Sequence, residues 1–84
     1  IDFVFIDGHH DGNATLNYFE MFYENLNEKA ILIFDDINWS KDMGDAWKKL
    51  KNDKRIYATM DMFFWGICLI DKNKTSKLSY KIWI

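Results

Sequence analysis

Two four-residue apolar runs end abruptly in acid: Phe3-Val4-Phe5-Ile6 before Asp7, and Ile31-Leu32-Ile33-Phe34 before Asp35-Asp36. Unbroken apolar runs of strand length read as strands buried on both faces, the pattern of a parallel sheet. Between them, Asp11-Gly12-Asn13 forms a turn and capping cluster. Leu16, Phe19, Phe22, Tyr23 and Leu26 then fall on one helical stripe. The pattern predicts a helix from Asn13 to about Asn27, with Asn27 as its C′ residue. Glu28-Lys29 turns the chain into the second strand, Ala30 to Phe34, completing a β-α-β unit with a right-handed crossover. Asp7, Asp35 and Asp36 then stand at the carboxyl ends of neighbouring strands, where open α/β sheets bind ligands. Strands about 4.8 Å apart let such carboxylates reach one cation or one hydroxyl.

Beyond the acidic pair, Ser40 is a good N-cap for a helix from Lys41 to about Lys51. Met43, Ala46, Trp47 and Leu50 fall at i, i+3, i+4 and i+7 and give it a core face. Gly44 weakens that helix by about 1 kcal/mol relative to alanine. The period then changes. Ile56 to Asp61 alternates roughly as a strand, Trp65 to Ile70 reads as another, and the short link Met62-Phe63-Phe64 predicts an antiparallel hairpin. Asp71 to Lys77 is a polar, lysine-rich loop, and Tyr80 to Ile84 alternates as a last strand. There is no proline, repeat or low-complexity tract.

Eighty-four residues, 49% hydrophobic and 18% aromatic, allow one small domain with a real core. The chain opens on a strand without an initiator methionine, so it is expected to be a piece of a longer protein. A net charge of −2 argues against a general nucleic-acid surface. The basic residues Lys48, Lys49, Lys51, Lys54 and Arg55 read as a solvated helix end that suits the helix dipole. The single cysteine, Cys68, allows no internal disulfide and reads as a small buried hydrophobe. The longest apolar run, Met62 to Ile70, is too short to span a membrane. A soluble, cytoplasmic domain with no nucleic-acid or membrane partner is the expectation.

The acids and histidines carry the candidate chemistry. Asp7, Asp35 and Asp36 could hold Mg²⁺, a hard cation that takes oxygen ligands, or could merely cap the helices that follow. His10 could serve as a general base, since imidazole titrates near neutrality, or could only contact ligand or pack on its loop. Trp39 follows close after the acidic pair and is the best substrate-wall candidate. Phe63, Phe64 and Trp65 could line the same pocket, although bulky aromatics in a small domain are more often core.

The element order and the two acid-ended strands resemble the C-terminal half of a class I S-adenosylmethionine-dependent methyltransferase. Ile6-Asp7-Gly8-His9-His10 resembles the motif after that fold's fourth strand in a bacterial small-molecule branch, and Ile33-Phe34-Asp35-Asp36 the end of its fifth. Gly66 resembles the glycine of the fold's final hairpin. Gly12 stands where an aromatic residue is common, and Asn27-Glu28-Lys29 replaces a Pro-Gly-Gly turn. The resemblance implies a partial Rossmann-like methyltransferase domain over residues 1–84: β-α-β-α, an antiparallel hairpin and a last strand. It implies transfer of a methyl group to a hydroxyl of a small molecule, with Asp7, Asp35 and Asp36 on the metal and Asp7 and His10 catalytic. It also implies that three more strands continue the sheet beyond Phe3 to Ile6. Without them that strand is an unpaired edge through which the chain could self-associate, and the piece alone would be inactive. The family's glycine-rich cofactor loop has no counterpart in these residues. Two other readings of the same residues are a metal-dependent hydrolase using Asp7, His9, His10, Asp35 and Asp36, and a non-catalytic α/β module.

Overall fold

The computed structural model describes residues 1–73 and 78–81. The elements run β1 (Asp2–Ile6), α1 (Gly12–Tyr23), β2 (Lys29–Asp35), α2 (Lys41–Lys51), β3 (Ala58–Met62), β4 (Trp65–Asp71) and β5 (Leu78–Lys81). They form one mixed α/β sheet in the order β1-β2-β4-β3-β5. β1 and β2 are parallel, with Ile6 opposite Phe34, so Asp7 and Asp35-Asp36 leave the sheet at the same end. β4 runs antiparallel to both β2 and β3, and the β3–β4 hairpin lies beside β2 as predicted. β5 pairs parallel with β3. The predicted last strand, Tyr80 to Ile84, therefore starts two residues earlier, and its residues 82–84 lie outside the described ones. This arrangement is compatible with a Rossmann-like fragment.

α1 begins where Asp11, in extended conformation, accepts the Ala14 N–H on its carboxylate at 3.1 Å. It ends at Tyr23, earlier than the stripe predicts, with Glu24 as C-cap. Asn27 is thus no C′ residue; it donates its backbone and side-chain N–H groups to the Asp2 carboxylate and pins the loop to the start of β1. Lys72 reaches from beyond β4 to the Leu26 and Tyr23 carbonyls and closes the exposed end of α1. Phe19 and Leu26 are buried, Leu16 and Tyr23 pack on the core, and Phe22 turns outward. α2 matches its prediction in extent, cap and core face: Ser40 accepts the Met43 N–H, and Met43, Ala46, Trp47 and Leu50 are buried.

Both helices lie on one face of the sheet. Ile6, Ala30, Leu32, Phe34, Cys68 and Ile70 meet Phe19, Trp47 and Leu50 there and make the core. Burying each large apolar side chain there contributes roughly 1.5–3 kcal/mol. On the other face, Phe3 and Phe5 are exposed and Ile31, Ile33, Ile67, Leu69 and Met60 are half-buried. The expectation of strands buried on both faces is therefore corrected. Both crossover helices come down on the same side, and among the described residues no element covers the other.

The basic end of α2 also departs from a plain solvated surface. Arg55 forks onto both Glu20 carboxylate oxygens at 2.7 Å and onto Asp53, while its guanidinium lies 4.8 Å from the Phe19 ring and 5.0 Å from that of Tyr23. Glu20, and then Asp53, hold this guanidinium protonated well above its ordinary range. Cys68 is buried, as its place in an apolar run implied. No helix of the described residues is long and apolar enough to cross a membrane.

Candidate functional site

The parallel β1–β2 pair delivers two loops to one end of the sheet, residues 7–11 after β1 and residues 36–40 after β2, and the β3–β4 turn at Phe63-Phe64 joins them there. Gly8 lets the first loop pass close to α1, because a Cβ there would collide with the Thr15 hydroxyl. The second loop is tied to the hairpin. Asn38 donates its amide to the Phe63 carbonyl at 2.6 Å, and the Ile37 N–H donates to the Phe64 carbonyl at 3.3 Å. Asp61 accepts the Phe63 N–H and the Trp47 indole N–H, anchoring the hairpin to α2. Trp47 in turn packs against Gly66, where a Cβ would sit 2.5 Å from its ring.

Among the described residues four non-glycine ones take positive φ: His9 (52°), His10 (62°), Asp36 (56°) and Phe63 (65°). Left-handed backbone at such residues costs about 1–2 kcal/mol each, and all four lie in these three loops. The strain aims side chains. His10 Nε2 lies 2.8 Å from Asp36 Oδ2, and its ring stacks on Trp39 with centroids 4.0 Å apart and planes 14° apart. A carboxylate only accepts, so Nε2 carries the shared proton, and in the neutral imidazole the lone pair is then on Nδ1. Both partners remain accessible, His10 42% and Asp36 29% exposed at the side chain.

Of the sequence-predicted residues, the structure brings His10, Asp36 and Trp39 together. Asp7 stands apart: it is exposed and accepts the His9 N–H at 2.9 Å. His9 enters the network only through that backbone group. Among the described residues no three His, Cys, Asp or Glu side chains are gathered to hold a metal ion. As they stand, Asp7, Asp35 and Asp36 are not one ligand set, because Asp7 caps its own turn and Asp36 faces His10. The five-residue hydrolase cluster is not assembled either.

Asp35 ends β2 and faces a cleft of about 380 Å³, lined also by Asp36, Met62, Phe64 and Trp65. A smaller recess of about 150 Å³ adjoins it at Asp36 and Phe64 and is closed by Asn38, Trp39 and Phe63. The aromatic cluster is thus no part of the core: Trp39, Phe63, Phe64 and Trp65 are between 42% and 65% exposed. Sequence reasoning missed Met62 and Asn38. The one available signal for Asn38 was its place between the acidic pair and Trp39.

Residues 1–37 match a family model described as a methyltransferase domain, a stretch that holds Asp7, His10, Asp35 and Asp36. No curated protein and no solved structure matches the chain. The match supports a methyltransferase-related role for this α/β unit.

Proposed function

We propose that these residues form the acceptor side of an S-adenosylmethionine-dependent methyltransferase acting on a hydroxyl of a small molecule. The observation that carries the reading is the His10–Asp36–Trp39 arrangement beside an open cleft, with its histidine and acid inside the matched stretch. The cofactor, when bound, supplies the methyl group. Its glycine-rich cradle is not among these residues, which act on the acceptor.

A hydroxyl presented at the rim of the recess, where Asp36 and Trp39 meet His10, would give its proton to His10 Nδ1 as its oxygen becomes nucleophilic. Asp36 steadies the resulting imidazolium through the Nε2–H, and Trp39 holds the ring plane and faces the charge that develops. Asp35 and the aromatic walls position the substrate, which matters because in-line transfer depends on alignment.

The test is steady-state kinetics on the intact protein with His10→Ala. Loss of a general base should lower kcat by about 10²–10⁴ and leave cofactor affinity near wild type. An unchanged kcat would reduce His10 to a packing role and remove the support for this reading.

A further inference from the structure

We propose that the cleft at the ends of β2 and β4 binds a small organic ammonium ion, so that the methyl acceptor is a hydroxyl compound carrying a protonated amine. Its identity as acceptor site rests on the methyl-transfer reading; its preference for a cation does not. Asp35 is half-buried at the cleft, and among the described residues its carboxylate has no hydrogen-bond or ion-pair partner. Asp36, beside it, is already turned to His10. A neutral apolar ligand would strip water from Asp35 and return nothing, a loss that specific sites avoid.

The walls point the same way. Met62, Phe64 and Trp65 line the cleft, and the adjoining recess adds Trp39 and Phe63. Aromatic faces attract cations, most strongly where water is thinned. Among the described residues neither cavity has a lysine or arginine in its lining, so there a phosphate or carboxylate would meet like charge. The acid-bearing loop and the aromatic turn are fastened to each other by the Ile37–Phe64 and Asn38–Phe63 hydrogen bonds, which keeps charge and walls in register. A volume of about 380 Å³ suits one small ligand rather than a polymer segment.

Three probes of matched shape read this charge preference: phenethylammonium, neutral N-acetylphenethylamine and anionic 3-phenylpropionate. Each is titrated into the intact protein without cofactor, by calorimetry or tryptophan fluorescence. The cation should bind at least about tenfold more tightly than either other probe. Asp35→Asn should erase most of that preference, and Trp65→Leu should weaken cation binding while circular dichroism stays unchanged. Equal binding of all three probes, or a preference that survives Asp35→Asn, overturns the proposal. Should Asp35→Asn fail to fold, the wild-type ranking and Trp65→Leu decide it alone. Charge-selective binding without methyl transfer to hydroxylated amines would uphold the cation site and sink the methyl-transfer reading. Transfer that runs equally well on neutral and cationic hydroxyl compounds would do the reverse.

Discussion

His10 and Asp36 meet across 26 residues of sequence, and both do so from left-handed backbone. That geometry assigns Asp36 a positioning role on the imidazole, so Asp36→Asn should lower kcat by less than His10→Ala does. The loss should not be recovered by added Mg²⁺, because an asparagine can still bond Nε2 but cannot balance an imidazolium. A loss that vanishes at high Mg²⁺ would instead make Asp36 a metal ligand and restore the carboxylate set expected from sequence. Gly66 offers a structural counterpart. With the Trp47 ring 2.5 Å from any added Cβ, Gly66→Ala should destabilise by roughly 1–3 kcal/mol, as overpacking does, read as a lower denaturation midpoint.

Among the elements, α2 is the one whose sequence and structure agree throughout, and its single weak position is Gly44. A Cβ at Gly44 meets nothing within 4 Å. Gly44→Ala should therefore raise stability by about 1 kcal/mol without moving the site; an unchanged or lower midpoint in urea would contradict the open surroundings. The Arg55 clasp joins α1 to the turn before β3. The Arg55 guanidinium holds the Glu20 carboxyl below its ordinary range. A carboxylate depressed in the folded state stabilises above its unfolded value, and the benefit is lost as pH falls through the folded one. Glu20→Gln should accordingly lower the melting temperature at pH 7, with the gap from wild type closing in strong acid. A gap independent of pH would mean that the pair acts by packing alone.

At the scale of the whole molecule, the described residues cover the sheet on one side only. Phe3 and Phe5, 65% and 56% exposed, stand on β1 at its edge, with half-buried Ile31 and Ile33 on the adjoining β2. We propose that this edge drives self-association of the 84-residue chain, since an apolar edge strand offers unpaired backbone groups to another copy. Phe3→Lys with Phe5→Lys should then shift the sedimentation profile toward monomer while the core helices keep their dichroism. A concentration-independent monomer in the unsubstituted chain would refute it.

Periodicity and caps made most of the elements legible beforehand. Acid-ended apolar runs, the Ser40 cap and the Met43–Leu50 stripe are local signals, written in neighbouring residues, and strand order near β1 and β2 followed from the helix between them. The early end of α1 and the outward turn of Phe22 were not legible, because the groups that hold the chain there are distant in sequence: Lys72 on the Tyr23 and Leu26 carbonyls, and Asp2 on Asn27 beyond the helix. The chemistry divides the same way. Residue types at the strand ends nominated Asp7, His10, Asp35, Asp36 and Trp39 from the chain alone. Only the fold decided that His10 takes Asp36 and Trp39 while Asp7 turns back on its own loop, and that the hairpin aromatics face a cleft instead of the core. Local pattern governs which residues share a face; which side chains meet is set by where three separate loops converge and by the φ angles those loops must adopt.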